Sequence, residues 1–220
     1  MHQVLAKPAT IFLIRHAESE ANVANDRIGG VDAPLSPNGV EQAVRLNDYL
    51  LKHPLPEMKE VHSSNMPRAS RTAELLHLGL DCLPHQIMVD PRLREISRGD
   101  WESKARAETY TDEIRTEMAF LDMDHRAPGG ESMSDTASRA REWLMSLNAA
   151  IIDEHDIRTF VAVTHGVLIK SLLQRIFGME PRYAWLMEID NTSITKIRCS
   201  SQGWHLEYVN ATPHLPERGF

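Results

Sequence analysis

The clearest pattern in the chain is a short apolar run that ends abruptly in polar residues, and it occurs twice. Residues 10–14 are apolar or β-branched and lead directly into Arg15 and His16. Residues 160–164 repeat the pattern and lead into His165. Continuous runs of this kind are typical of strands buried on both faces. Because open α/β sheets place ligand sites at the carboxyl ends of their strands, the pattern predicts two histidines at one edge of a sheet.

Periodicity and capping residues predict helices between these strands. Ser36 and Pro37 suit the N-cap and first turn of a helix that continues to about Lys52. Ser132 is a candidate N-cap for a long helix whose apolar positions, spaced three and four apart, run to Ile151. The other predicted elements are helices over 68–77 and 167–177, the second closed by Gly178, and short strands over 60–64, 87–89, 193–199 and 205–209. Strands that alternate with helices indicate an α/β fold.

Residues 98–131 differ in character from the rest of the chain. They are charged and poor in β-branched residues, and the turn residues 128–130 close them. We interpret this segment as a helical insertion. Since no internal repeat, low-complexity stretch or long linker is apparent, the sequence predicts one domain over residues 1–220.

Charge and composition narrow the classes of function. The chain has 24 Lys and Arg against 31 Asp and Glu, a net charge of −7, which argues against a nucleic-acid-binding surface. A few local arginines can still bind a small phosphate ester. No apolar run approaches ~20 residues, the first residues lack the apolar core of a signal peptide, and Cys82 and Cys199 show no paired spacing. These features predict a cytoplasmic protein that does not bind membranes.

Five motifs follow one another in a fixed order. They are Arg15-His16-Ala17-Glu18 with Asn22, Asp32-x-Pro34-Leu35-x-x-x-Gly39-x-x-Gln42-Ala43, Ser63-Ser64-x-x-x-Arg68-Ala69-x-x-Thr72-Ala73, Leu93-Arg94-Glu95-x-x-x-Gly99-x-Trp101-Glu102 and Thr164-His165-Gly166. Together they resemble the histidine phosphatase superfamily, in its phosphoglycerate-mutase-like branch, from about residue 10 to residue 195. The resemblance implies a three-layer α/β/α fold with a mostly parallel central sheet, and an insertion over the active site.

The residue types in these motifs suit phosphoryl transfer. A neutral His16 can attack phosphorus and form a covalent phosphohistidine. Arg15 and Arg68 offer forked, permanently charged donors to the phosphoryl oxygens, and His165 can donate a further hydrogen bond as charge shifts. A lone histidine at the end of a strand is more often structural, but the ordered motifs favour catalysis. The resemblance implies the same roles for these four residues.

The assignment of the proton source and of the substrate contacts rests mainly on the resemblance. Glu95 occupies the position of the family's general acid, although Glu18 and Glu102 are competing carboxylates nearby in the sequence. Asn22 and Arg27 match positions that contact phosphate or substrate.

Three residues depart from the family pattern. Arg98 stands where an aromatic or apolar residue often precedes the glycine of the fourth motif, and this predicts an additional anionic group on the substrate. Gly29 stands where a glutamine often lies, which removes one side-chain contact, and Ser103 replaces a common glycine.

The sequence leaves three functions open. The remaining histidines show no metal-ligand spacing, and no P-loop or Gly-x-Ser-x-Gly elbow is present. We therefore expect a metal-independent phosphatase without a cofactor, acting on a small phosphorylated metabolite, with a homodimer as an open alternative. The second candidate is a phosphoglycerate mutase, although the segment after Glu95 lacks a Tyr-Gly-rich continuation. The third is a pseudoenzyme that binds a phosphorylated ligand without turnover.

Overall fold

The computed structural model describes residues 8–28, 32–56, 58–81, 86–147 and 158–216. The strands in this part of the chain are β1 (Ala9–Arg15), β2 (Met58–Ser63), β3 (Met88–Val89), β4 (Arg158–Thr164), β5 (Ile194–Ser200) and β6 (Gly203–Ala211). They form one sheet in the order β3-β2-β4-β1-β5-β6. The pairs β1–β4, β4–β2 and β2–β3 are parallel, whereas β5 is antiparallel to both β1 and β6. The sheet is mixed, and the prediction that it is mostly parallel is confirmed.

Helices connect most of these strands, whereas a turn at residues 201–202 joins β5 to β6. The helices in the described residues are α1 (Glu20–Ala24), α2 (Pro37–Lys52), α3 (Pro67–Leu75), α4 (Arg106–Thr109), α5 (Asp112–Leu121), α6 (Met133–Ser146), α7 (Gly166–Phe177) and α8 (Pro181–Leu186). Short 3-10 helices span Pro91–Leu93, Gly99–Trp101 and Asp122–Asp124. The sequence pattern does not predict α8, and it indicates α1 only as a polar run compatible with a helix.

The central strands are buried on both faces, because their successive side chains enter two different apolar clusters. On β1, Ile11 and Leu13 pack in one cluster with residues of α6 and α7, including Trp143. Phe12 and Ile14 pack in the other cluster with residues of α2 and α3. Helices therefore cover both faces, which confirms the predicted three-layer α/β/α arrangement.

The predicted caps are present at three helix ends. The Ser36 hydroxyl accepts a hydrogen bond from the backbone N–H of Gly39 at the start of α2. Ser132 and Asp135 form a reciprocal capping box at the start of α6. Gly178 ends α7 in the left-handed conformation, with φ of 61°. These local signals explain why the observed bounds lie close to the predicted ones.

The buried face of α2 differs from its apolar pattern. Val40 and Val44 belong to that pattern but are exposed, at 38% and 44%. The helix buries Ala43, Leu46 and Leu50 together with Gly39 and Asn47, and the side-chain oxygen of Asn47 accepts the backbone N–H of Gly79. The buried face of α2 therefore coincides only in part with the apolar face of its sequence pattern.

The segment predicted as a helical insertion is helical and is bonded to the chain that follows the first motif. Helices α4 and α5 lie in it, and its backbone exchanges hydrogen bonds with Ile28, which donates to Lys104 O and accepts from Ser103 N–H. Trp101 packs beside Ile28 and Ala127 in a small apolar cluster.

Some sequence features lie outside the described residues, namely Gly29, Cys82 and the Ile151 end of the long helix. Among the helices that the structure does describe, none is both long enough and apolar enough to cross a membrane.

Candidate active site

The two strand-end histidines lie side by side because β1 and β4 are parallel neighbours. Arg15 pairs with Thr164 in the strand register, and the backbone N–H of His16 donates to Thr164 O at 2.8 Å. The rings of His16 and His165 are 5.0 Å apart between centroids and tilted by 58°. The predicted pair at one sheet edge is therefore present.

The neighbouring strand β2 supplies an arginine to the same place. The backbone N–H of Ser64, just after β2, donates to Val163 O at 2.9 Å, so the β2 end lies beside the β4 end. Helix α3 begins three residues later and carries Arg68 in its first turn, only 6% exposed. Arg68 Nε donates to His16 Nε2 at 3.1 Å.

The hydrogen bonds of His16 assign its tautomer. Its Nδ1 lies 2.7 Å from the carbonyl oxygen of Ala17, which can only accept, so Nδ1 carries the proton. Nε2 then presents its lone pair and accepts the bond from Arg68. Burial lowers the pKa of His16 well below its ordinary value, and the charges of Arg68 and Arg15 lower it further. The ring is thus held neutral, with Nε2 as a nucleophilic atom.

His165 is held by a serine 101 residues away in the chain. His165 Nε2 lies 2.9 Å from Ser64 Oγ, which also accepts the backbone N–H of Met66 at 3.2 Å. Among the contacts of the described residues, His165 Nε2 is the one acceptor within reach of the Ser64 hydroxyl proton, so we assign that proton to this bond, which places the ring proton on Nδ1. Burial lowers the pKa of His165 well below its ordinary value, and the nearby charges of Arg68 and Arg15 lower it further.

Two buried nitrogens beside His16 have no hydrogen-bond partner among the described residues. They are His165 Nδ1 and Arg15 Nε. Arg15 donates through Nη1 to the carbonyl oxygen of Ile189 at 2.6 Å, which fixes its guanidinium group. Buried polar groups are normally bonded, so two such nitrogens next to a nucleophile indicate a place built for an oxygen-rich ligand.

The three candidate carboxylates occupy different environments. Glu95 lines the cavity beside His16, and it accepts the backbone N–H of Ile96 at 3.0 Å and of Val167 at 3.3 Å. Glu18 accepts the hydroxyl of a helix-capping serine, and Glu102 accepts a hydroxyl and a backbone N–H within its own loop. Of the three, Glu95 alone is among the residues that line the cavity.

The cavity has a volume of about 570 Å³, which suits a small metabolite. Its lining includes seven of the eight predicted site residues: Arg15, His16, Asn22, Arg27, Arg68, Glu95 and Arg98. The eighth, His165, contacts the ring of His16. In the part of the chain that the structure describes, no group of three or more His, Cys, Asp and Glu side chains is arranged to hold a metal ion.

With this geometry in place, comparison with known proteins identifies the family. Residues 11–212 match the histidine phosphatase superfamily (branch 1). The chain belongs to this superfamily. The resemblance drawn from the five motifs is therefore confirmed.

Relatives and solved structures include both phosphatases and mutases by name. A protein of Proteus mirabilis named probable phosphoglycerate mutase GpmB is 31% identical, over 94% of this chain and 95% of its own length. The structure of mycobacterial glucosyl-3-phosphoglycerate phosphatase has a TM-score of 0.79 and 28% identity, and the match covers 93% of this chain and 100% of that one. A mutant phosphoserine phosphatase of Entamoeba histolytica, in complex with phosphoserine, has a TM-score of 0.79 and 25% identity, covering 94% and 100%.

The superfamily motifs account for most of the site, but two supporting residues have no signal in our sequence analysis. Asn191, in the loop before β5, donates to the carbonyl oxygen of His16 at 2.9 Å and to the side chain of Asn22 at 3.3 Å. Asn22 also caps helix α1, so it has a structural role besides lining the cavity. Arg139 of α6 donates to the carbonyl oxygen of Glu95 at 3.1 Å. Such contacts join distant segments, and the spacing of residues along the chain does not show them.

Ser64 is a third residue, and its part in the site goes beyond its sequence interpretation. The sequence predicts that the Ser63-Ser64 pair caps the backbone before the loop of Arg68 and does not act as a nucleophile. The structure gives Ser64 two contacts, one to its own loop and one to His165.

Proposed function

We propose that this chain is a phosphatase that hydrolyses small phosphate monoesters through a phosphohistidine formed on His16. The observation that carries the proposal is the state of the His16 ring. It is buried and neutral, its Nδ1 proton is fixed by Ala17 O, and its Nε2 lone pair faces the cavity cations. These are the requirements for nucleophilic attack on a phosphoryl group surrounded by positive charge.

In the first step, His16 Nε2 attacks phosphorus, and the N–P bond forms as the P–O bond to the leaving alcohol breaks. Glu95 in its protonated form gives its proton to the departing oxygen. Arg15 and Arg68 neutralise the phosphoryl oxygens, and His165 donates from Nδ1 to one of them.

In the second step, the Glu95 carboxylate takes a proton from water, whose oxygen attacks phosphorus and breaks the N–P bond. Inorganic phosphate leaves, and both His16 and Glu95 return to their starting forms. No metal ion takes part in either step of this proposal.

The esters named for the mycobacterial and Entamoeba phosphatases are small molecules, which supports a small metabolite as the substrate. We also propose that the chain forms a single domain, since the central sheet strands belong to both main apolar clusters.

The test is hydrolysis of para-nitrophenyl phosphate in the presence of EDTA. We expect turnover by the native protein and a loss of about a thousand-fold or more in His16→Ala. The control is His53→Ala, since His53 is exposed at the end of α2. Turnover that survives the loss of His16 contradicts the proposal.

A phosphoglycerate mutase is the second candidate, and the name of the Proteus mirabilis relative favours it. A mutase returns the phosphoryl group to another hydroxyl instead of to water. Phosphorus NMR of a reaction with 3-phosphoglycerate separates the two functions. Release of inorganic phosphate supports the phosphatase, whereas isomerisation that outpaces release supports the mutase. Phosphate-competitive binding with neither reaction indicates a binding protein.

A further inference from the structure

The insertion side of the cavity carries positive charge that the two chemical steps do not use. Four arginines line the cavity there: Arg27, Arg98, Arg106 and Arg115. We refer to them as the outer arginine group. Arg27 pairs with Ala105 of the insertion in an isolated antiparallel β-bridge, and the other three lie in residues 98–131. They are half-buried to exposed, unlike the deeply buried Arg68.

Backbone carbonyl groups hold three of these side chains in position. Arg27 Nη1 donates to Ser103 O at 2.8 Å, and Arg106 Nε donates to Arg27 O at 3.0 Å. Arg115 Nε donates to Tyr110 O at 3.0 Å, and its guanidinium carbon lies 5.9 Å from the centroid of the Tyr110 ring. Each bond uses one N–H, so most of each guanidinium fork remains for a ligand.

The outer arginine group lacks carboxylate partners. Within the described residues, none of its four members lies within 4.0 Å of an Asp or Glu oxygen, whereas arginines elsewhere, such as Arg45 and Arg71, do form ion pairs. Of the described residues that line the cavity, Glu95 alone carries a carboxylate. In a chain with 31 acidic and 24 basic residues, this local excess of positive charge runs against the overall balance.

Four like charges around one cavity repel each other and destabilise the ligand-free protein. An anion placed among them removes that repulsion and gains charge-assisted hydrogen bonds from the planar guanidinium groups. A carboxylate and a phosphate both match the arginine fork. The transferred phosphoryl group has Arg15 and Arg68 beside His16, so the outer arginine group is left to bind a different part of the ligand.

We propose that the outer arginine group binds a second anionic group of the substrate, so that the preferred substrates are phosphate monoesters that also carry a carboxylate or a second phosphate. This inference rests on the proposed function for its account of the first phosphate. It extends the prediction made for Arg98 alone, because Arg106 and Arg115 carry no motif signal and are brought to the cavity by the insertion.

Binding of matched phosphonates tests the second site without any turnover. Propylphosphonate and 3-phosphonopropionate differ only in a methyl group against a carboxylate, and neither is hydrolysed. By isothermal titration calorimetry on the native protein, we expect the carboxylate compound to bind about ten-fold more tightly or better. A third ligand, propane-1,3-diphosphonate, shows whether a phosphoryl group or a carboxylate is preferred there. Equal affinities for all three ligands overturn the inference.

Two variants locate the preference in the outer arginine group. Arg98→Gln and Arg115→Gln should each reduce the ten-fold advantage of the doubly anionic phosphonates by most of its value. Arg45→Gln is the matched control, because Arg45 is exposed on α2 and pairs with Glu41 there. An advantage that is unchanged in both cavity variants contradicts the assignment. Raising the ionic strength should also shrink the advantage in the native protein, since the arginines are partly exposed.

Hydrolysis of a second matched pair separates this inference from the proposed function. Glycerol 3-phosphate and 3-phosphoglycerate differ in a hydroxymethyl group against a carboxylate, and we expect a higher kcat/KM for the second. If neither is hydrolysed but the phosphonate preference is present, the phosphatase proposal fails and the second anion site stands. If both are hydrolysed equally and the phosphonates bind equally, the second anion site fails and the phosphatase stands.

Discussion

Replacing Arg139 should both destabilise the fold and slow the chemical step, because this one side chain holds the loop that carries Glu95. Its guanidinium donates to both carboxylate oxygens of Glu131, at 2.8 and 2.9 Å, and to the carbonyl oxygens of Arg92, Arg94 and Glu95, at 2.8, 2.6 and 3.1 Å. The side chain is 17% exposed and that of Glu131 is 28% exposed. Arg139→Ala therefore leaves a partly buried carboxylate and three carbonyl groups without their donor.

The size of the loss follows from these contacts. Breaking a fully buried ion pair costs about 3–5 kcal/mol, but water can reach part of Glu131, so we expect about 3 kcal/mol in the free energy of unfolding. Although burial alone raises the pKa of Glu131, its bonds from Arg139 and Ser97 N–H leave that pKa below its ordinary value. Removing Arg139 takes away bonds that lower this pKa, so burial acts on the Glu131 carboxyl with less opposition in the variant.

Urea unfolding and steady-state kinetics measure the two effects. We expect kcat to fall about ten-fold with a smaller change in KM, because Glu95 is displaced while Arg15 and Arg68 still bind phosphate. The matched control is Arg45→Ala, since its 3.6 Å pair is 52% exposed on the arginine side and should contribute less than about 0.5 kcal/mol. A loss below about 1 kcal/mol, or an unchanged kcat, refutes the role given to Arg139.

Three further predictions concern other parts of the site. Ser64→Ala should lower kcat about ten-fold, whereas Ser70→Ala, which loses a hydrogen bond to the same loop without touching His165, should not. Similar effects of the two contradict a role of Ser64 in orienting His165. The pKa of His165 is lowered from 6.5, so only the unfolded chain gains this proton as pH falls, and native stability is full above that value and declines below it. In urea unfolding between about pH 6 and 5, the free energy of unfolding of His165→Gln should decline less steeply than that of the native protein, by at most about 1.4 kcal/mol per pH unit, the limit for one proton; parallel slopes refute this. Gly39→Ala should cost about 1–3 kcal/mol in urea unfolding, because the added methyl group overlaps the carbonyl oxygen of Glu18; a change below about 0.5 kcal/mol contradicts that close approach.

Much of the fold can be predicted from the sequence, because its strongest signals are local. The apolar runs before His16 and His165 predict the central strands, and the residues at Ser36 and Ser132 predict where helices begin. The short helix α8 escapes prediction because it buries only Ala184 and presents no apolar stripe.

The candidate site likewise has one part that the sequence predicts and another part that it does not. His16 and His165 can be paired from the sequence because each directly follows a buried strand, and the two strands are parallel neighbours in the sheet. The sequence does not predict the contact of Ser64 with His165 or the hydrogen bond from Arg139 to Glu95, because each joins residues that lie far apart in the chain. Cations of the insertion such as Arg115 resemble an ordinary solvated helix face until the structure places them in the cavity wall.

The most direct test of the proposed mechanism is to trap the phosphoryl group on the protein. The native protein is mixed with para-nitrophenyl phosphate, quenched rapidly in alkali, digested and analysed by mass spectrometry. We expect one added phosphoryl group on the peptide that contains His16, stable in alkali and lost in acid, as a nitrogen–phosphorus bond requires. Phosphate found on any other residue, or a burst of product without any phosphorylated peptide, contradicts attack by His16.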